Sequence, residues 1–324
     1  MRDLPHSDDI PRGTPGRPDT LRGKPRFHAW PGRPDGERLR GLPPGRAFMP
    51  YLVTRRCEAI SLFEQEIDAG PALSHLGSLA AGDEAQPGFF ALVLWALARA
   101  LHEHPALNRY VMGRHIYQRR RVEITFSGRV SPRASAPVYL RKRVFEPGET
   151  PLEVGRGILV EVQRGRAGTS SGGDRLLRGF LQLPWPVGSL LMRFARALDH
   201  YNLLPPSWVL AHPLHASAFV ANLGSLGIPG AYHPLYEHGA IPLALVVGEI
   251  RESRPVCAED RAGPSHRCTL KYSYDGRIAE AAECARFAAR VKVLLEDPEL
   301  LAPDDTRSAG EARSPLPSPS PEVP

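Results

Sequence analysis

The stretch from Leu270 to Leu300, LKYSYDGRIAEAAECARFAARVKVLLEDPEL, changes its hydrophobic period halfway along. Tyr272 and Tyr274 alternate with Lys271 and Ser273, the period of two that a pleated strand requires. Asp275-Gly276 is a turn dipeptide. From Ile278 the spacing becomes helical: Cys284, Phe287, Val291 and Leu294 fall on one face, with Arg286 and Arg290 elsewhere. Pro298 and Pro303 stop the helix. A strand, a sharp turn and a helix in succession need a sheet to join and a helix face to cover, so the chain belongs among α/β folds.

Other segments supply the rest of such a fold. GFFALVLWALARALHEHPALN is apolar nearly all round from Phe89 to Leu101 and predicts a buried helix, ended by His102, Glu103 and His104 before Pro105. In VEITFSGRV, Val122, Ile124 and Phe126 alternate with polar residues and predict a half-buried strand. Residues 136–145 read as another strand, and 151–164 as a helix weakened by Gly155 and Gly157. IPLALVVGEI (241–250) is apolar on both faces, as in a central strand. Tyr51 to Asp68 is rich in β-formers and reads as extended.

The 324 residues carry a net charge of +6. Residues 1–46 hold ten Lys/Arg against six Asp/Glu, with nine prolines and almost no apolar periodicity. They read as a disordered basic arm. No interleaved aromatics or RNA-binding motif accompany that charge, which argues against a nucleic-acid partner. Residues 302–324 read as a second loose tail, rich in Pro and Ser. The folded part is thus expected over 47–301. Neither a secretory signal nor an apolar run long enough to span a membrane is present, so a cytoplasmic protein is expected. Cys57, Cys257, Cys268 and Cys284 have neither a C-x-x-C pair nor zinc spacing, and His212-x-x-His215 is a two-ligand fragment without partners. No metal is expected.

The C-terminal stretch resembles the catalytic domain of the dihydrolipoamide acyltransferases, the core component of 2-oxo acid dehydrogenase complexes. Asp275, Arg277 and Ile278 stand where that family has the Asp, Arg and first Val of Asp-His-Arg-Val-Val-Asp-Gly. Ala285-Arg286-Phe287 and Leu294-Leu295-Glu296-Asp297-Pro298 are similar to its last helix. His104-Pro105-Ala106-Leu107-Asn108, Asn222-Leu223-Gly224 and the strand 241–250 resemble further family segments, in the right order. The resemblance implies a chloramphenicol acetyltransferase-like two-layer sandwich, a mixed β-sheet packed by helices, assembled as a homotrimer. It also implies acyl transfer between a lipoamide thiol and coenzyme A, with the acyl-CoA as substrate. The family's His is the general base on the attacking thiol, and a Ser or Thr before Asn-Leu-Gly donates to the oxyanion. The first task matters because a thiol of pKa about 8.5 is a poor nucleophile until deprotonated.

Both of those positions are vacant. Gly276 replaces the His and Ala221 the hydroxyl residue; Glu280 replaces the second Asp. Asn222, Gly224, Asp275 and Arg277 keep the family's residues and are expected to line the substrate site. Three histidines are candidates for a substitute base. His233 and His238 follow the Asn-Leu-Gly turn, and His215 shares a strand face with Ser217, Phe219 and Ala221 if that strand reaches back so far. Arg114 and Arg119 to Arg121 either meet coenzyme A phosphates or line a solvated hairpin. Residues 175–210 depart from the family pattern as an insert. Leu190, Leu191, Phe194, Leu198 and Tyr201 mark one face of a helix there, packed as a lid over the sheet or docked on a membrane or partner. No lipoyl-bearing segment is recognisable, so a lipoyl protein acts in trans or the acyl donor is free. Two readings follow: an acyltransferase with a rewired site, or a catalytically inactive acyl-CoA-binding, scaffold or regulatory homologue.

Overall fold

The computed structural model describes residues 32–79, 88–129, 138–167, 179–253 and 265–301. A six-stranded mixed sheet forms its centre. In spatial order its strands are β2 (Ile60–Asp68), β9 (Ser265–Asp275), β8 (Leu243–Ser253), β7 (Ala218–Asn222), β5 (Val122–Arg129) and β6 (Val138–Phe145). β7 runs parallel to both β5 and β8, and the remaining pairs are antiparallel. A small antiparallel sheet, β1 (Gly36–Arg38), β4 (His115–Arg119) and β3 (Arg109–Met112), stands beside it.

The period of two sorts the strands onto two faces. Leu243, Leu245 and Val247 of β8 join the larger core with Val220, Leu270 and Tyr272. Ala244 and Val246 point the other way, into a smaller cluster with Phe219, Ala221, Leu235 and Ile241. The larger core is closed by α3 (Phe89–Glu103), α4 (Pro151–Arg166), α2 (Gly70–Leu79) and α7 (Ala281–Glu296). α7 buries Cys284, Phe287, Val291, Leu294 and Leu295, the face its spacing predicts. Each large apolar side chain buried in this way stabilises by about 1.5–3 kcal/mol.

Two pairs of short motifs meet because their glycines allow it. A Cβ on Gly224 would strike the carbonyl oxygen of Gly248, and one on Gly248 would strike the carbonyl oxygen of Pro229. The turn after β7 therefore lies directly against β8, where the β8–β9 register shifts between Val247 and Ile250.

Two expectations need correction. Residues 1–31 lie outside the described part, but 32–46 are not a loose arm. They contain β1 and the start of α1 (Pro44–Leu52), and Arg33 and Asp35 are buried. Tyr51 to Asp68 is likewise not extended throughout: α1 takes its first two residues and β2 begins at Ile60. Tertiary ion pairs, invisible to local periodicity, decide the first case. The tail 302–324 and Cys257 lie outside the described residues.

The insert forms α5 (Trp185–His200) and the short α6 (Pro206–Ala211). Pro186 sits in the first turn of α5, where its missing N–H is not needed. Asn202, at φ 58°, ends the helix in the left-handed conformation. There the Asn202 N–H donates to the Asp199 carbonyl at 3.0 Å and that of Leu203 to the Leu198 carbonyl at 2.7 Å. The apolar face of the helix is not covered: Val187, Leu190, Leu191 and Phe194 are exposed. Its last turn meets the tip of the β3–β4 hairpin, where a Cβ on Gly113 would strike the His200 carbonyl oxygen. No helix among the described residues is long and apolar enough to cross a membrane.

Candidate functional site

A cleft of about 360 Å³ opens between the end of α1, the β3–β4 hairpin tip, the last turn of α5 and the turn after β9. Its walls carry Arg55, Arg56, Arg114, Arg196 and Arg277, with His200 and His238 between them. Asp199 and Glu237 are the carboxylates that line it.

The floor is built on the Asp275–Arg277 pair that the sequence singles out. Asp275 is fully buried. Its two oxygens accept from Arg277 Nε at 2.8 Å and Nη2 at 2.7 Å, and Arg56 Nε lies 3.6 Å away. Arg277 also donates to the Val53 carbonyl, and Arg56 donates to the carbonyls of Tyr236 and Gly239. Burial lowers the pKa of Arg56 despite the nearby Asp275 charge. These two cations are thus committed to the scaffold.

Gly276 sits between them with its backbone held. Its N–H donates to Ala59 O at 2.8 Å, and its carbonyl accepts from Arg46 Nη1 at 3.0 Å. A Cβ at 276 would lie 3.1 Å from Ala59 O and 3.3 Å from Ser61 Oγ, tight but open to a small adjustment. Glu280 serves the helix: it caps α7 in a reciprocal box with Glu283 and lies 3.4 Å from Arg46.

The three candidate histidines go to three places. His238 is half-buried and lines the cleft, its ring 5.4 Å from that of His212 and 6.2 Å from that of Trp208. Burial holds it below its ordinary value of 6.5, against the opposing charge of Asp199. His233 is outside the cleft walls. It packs on the Phe219 ring at 4.5 Å and meets Pro234 O through Nδ1 at 2.7 Å, on the sheet face that carries Ala221.

His215 corrects a sequence expectation. β7 starts at Ala218, so His215 precedes the strand and is sealed, with no exposed surface. Its Nδ1 faces Arg33 Nη2 at 3.3 Å and its Nε2 is 3.6 Å from Asp199 Oδ2. Burial pushes its pKa down to about 2, so it is a neutral member of an ion-pair network.

That network was hidden from sequence reasoning. Arg33 donates to Asp35 at 2.9 Å, to Asp199 at 2.8 Å and to Tyr110 at 3.1 Å. Arg119 donates to Asp35 at 3.1 Å and to Ala240 O at 2.6 Å. Burial alone would raise the Asp35 pKa, but Arg33 and Arg119 hold it well below the carboxylate range. Arg119 is therefore not available to a ligand, contrary to its reading with Arg114, Arg120 and Arg121 as a phosphate contact. Arg120 pairs with Glu37 at 3.4 Å. One signal was present: Asp199 is the lone carboxylate in the apolar stretch 176–208.

Asn222 ends β7 and Gly224 lies in the turn after it, both outside the cleft. Asn222 Oδ1 accepts from Ser225 N at 3.2 Å. The structure thus brings His238 and Arg277 together and leaves Ala221, Asn222, Gly224 and His233 on a separate surface. Among the described residues no three His, Cys, Asp or Glu side chains are grouped to hold a metal.

Comparison with known proteins adds a family pattern and a fold. Residues 214–302 match the family described as 2-oxoacid dehydrogenases acyltransferase (catalytic domain). No curated protein matches the chain. A probable dihydrolipoamide acetyltransferase of Listeria monocytogenes 4b F2365 superposes with a TM-score of 0.52 at 16% identity, over 83% of this chain and 97% of that one. A truncated catalytic core of the 2-oxoacid dehydrogenase multienzyme complex from Thermoplasma acidophilum gives 0.51 at 16% identity, over 81% and 99%. The cubic core of the pyruvate dehydrogenase multienzyme complex gives 0.52 at 16% identity, over 79% and 88%. At such identity these likenesses show the fold: a mixed sheet packed by helices, as in acyltransferase cores.

Proposed function

We propose that this chain, with the fold of the dihydrolipoamide acyltransferase cores and their sequence pattern over 214–302, transfers acyl groups to or from coenzyme A with His238 as the base. One observation carries the reading. His238 shares a cleft with Arg277, the neighbour of the vacant base position Gly276. It is neutral at pH 7, because burial lowers its pKa, and a neutral imidazole accepts a proton. In the forward step it takes the proton of the incoming thiol. The thiolate adds to the acyl carbonyl, the oxyanion collapses, and the departing thiolate regains the proton from the imidazolium. Ala221 offers the oxyanion no hydroxyl, so turnover is expected to be slow, since such a donor contributes about 10²–10³-fold.

The Ala221 surface and the His238 cleft are separate on one chain, which supports a site completed by a neighbouring copy in a homotrimer. Leu226, Ile228, Tyr232 and Tyr236, exposed on the segment between β7 and β8, fit such a contact. The acyl donor or acceptor is a free thiol or a lipoyl protein in trans. The test is acetyl transfer from acetyl-coenzyme A to dihydrolipoamide by the purified protein, followed by mass spectrometry. Turnover that His238→Ala abolishes and His233→Ala retains supports the reading; equal loss in both variants, or retention in both, sinks it.

A second reading has its own observation: Gly276 and Ala221 both lack the family's reactive side chains while Asp275 and Arg277 keep their pairing. On this reading the chain binds acyl-coenzyme A without turning it over, as a scaffold or regulatory subunit. Saturable acetyl-coenzyme A binding by a folded protein without product is its signature.

A further inference from the structure

We infer that the cleft holds the phosphate groups of its ligand on Arg55, Arg114 and Arg196, with the insert helix α5 supplying one of the three. The inference names the anchoring groups for the coenzyme A reading above and rests on it for the ligand's identity. The site itself rests on charge and geometry.

Five arginines line the cleft against two carboxylates. Only one of these carboxylates is engaged by a cation. Asp199 is held by Arg33 at 2.8 Å, and Glu237 accepts from the Cys57 N–H at 2.8 Å. Of the arginines, Arg56 and Arg277 are committed to Asp275 and to main-chain carbonyls. Arg55 and Arg196 make no ion pair or hydrogen bond among the described residues and are exposed at the rim. Arg114 donates one hydrogen bond, to Pro50 O at 2.9 Å, and keeps further donors. Three arginines thus line one concavity with a single carboxylate, Glu237, left to answer them. Planar, multidentate cations in that number suit phosphate oxygens.

The backbone adds an independent sign. Gly113 and Arg114 form the two-residue connection of the β3–β4 hairpin, with φ of 55° and 66°. Such turns want Asn, Asp or Gly at both positions. Arg in the left-handed region is strained, and strain of this kind persists where the side chain is needed. The strained turn delivers its guanidinium to the cleft wall.

Calorimetric titration with inorganic pyrophosphate, coenzyme A, dephospho-coenzyme A and pantetheine tests the inference. Pyrophosphate is expected to bind, and Arg55→Ala, Arg114→Gly and Arg196→Ala each to weaken it about tenfold, the scale of one charge-assisted hydrogen bond. Arg114→Gly suits the turn, so its loss of binding is not a loss of folding. Arg267→Ala removes a distant surface charge paired with Glu66 at 3.1 Å and is expected to change nothing. Weakening by Arg267→Ala as large as the others would mean net charge alone, and would overturn the site. Coenzyme A binding untouched by the three cleft variants would also overturn it while leaving the coenzyme A reading standing. Pyrophosphate binding lost in the variants, with no binding of coenzyme A, would keep the site and remove that reading in favour of another phosphate ester. Weaker dephospho-coenzyme A binding would assign one contact to the 3′-phosphate, and pantetheine is expected to bind weakly in either case.

Discussion

Arg33 and Asp199 are 166 positions apart in sequence and 2.8 Å apart in the structure. Through that pair the segment before β1 holds the end of the insert helix, and the helix end forms one wall of the cleft. Asn202 strengthens the joint, accepting from Arg33 at 3.2 Å and donating to Tyr117 at 3.0 Å.

Removing one partner of a buried ion pair leaves the other charge uncompensated, which costs about 3–5 kcal/mol. Arg33→Ala is expected to destabilise by that amount in urea unfolding. Arg267→Ala, which breaks an exposed pair, is expected to cost less than about 1 kcal/mol. Equal midpoints for the two variants would remove the structural role given to Arg33.

The same pair sets a boundary. A chain starting at residue 32 keeps Arg33 and Asp35 and is expected to melt with the full-length protein. A chain starting at 41 lacks both and is expected to melt well below it, as read by circular dichroism.

Histidines held neutral by burial make stability depend on pH. His212 is pushed down to about 4 from its ordinary 6.5 by burial and by His238. Between those values the unfolded chain binds the proton and the folded chain does not. Stability is therefore complete above about pH 6.5 and falls as pH drops towards 4. His212→Asn, which keeps an acceptor for the Leu214 N–H that His212 Nδ1 receives at 3.2 Å, is expected to flatten this slope. A melting temperature with the same pH dependence in both proteins would contradict it.

Position 276 can be refilled. Its backbone is held by Ala59 and Arg46, and the nearest obstacle to a Cβ is 3.1 Å away. Gly276→His is expected to raise acetyl transfer by about 10²-fold, the lower end of what a positioned base contributes. Adding Ala221→Ser is expected to raise it further. A folded double variant with unchanged turnover would mean that the cleft no longer receives the family's substrates.

Gly224→Ala is expected to destabilise by about 1–3 kcal/mol, the usual cost of forcing atoms into a packed site, because its methyl meets Gly248 O. The melting temperature reads this directly.

Local pattern carried much of the fold. α3 and β8 were legible because burial on all sides leaves a continuous apolar run, and α7 because one buried face leaves a helical period. The turn at Asn222-Leu223-Gly224 and the glycine at 248 were visible as motifs, but their mutual contact was not. Arg33 and Asp35 were illegible for a different reason: their partners lie on α5 and the hairpin, and a Pro-rich neighbourhood masks any period. Of the site, Asp275 and Arg277 were singled out as substrate-lining positions, and the structure shows them paired with each other. His238 was one of three candidates until the cleft set it apart from His233 and the sealed His215. Arg55 and Arg196 gave no local signal, since only tertiary packing brings α1 and α5 to one cleft.

The span between Arg33 and Asp199 also has a temporal side. At roughly 5–20 residues per second of synthesis, the ribosome needs about 10–30 s to pass from one to the other. For that interval the guanidinium has no Asp199 to meet, and Asp35 and the hairpin tyrosine are its available company. The nascent chain can thus assemble the small sheet first, and the wall made by α5 closes only when more than half of the polypeptide has emerged.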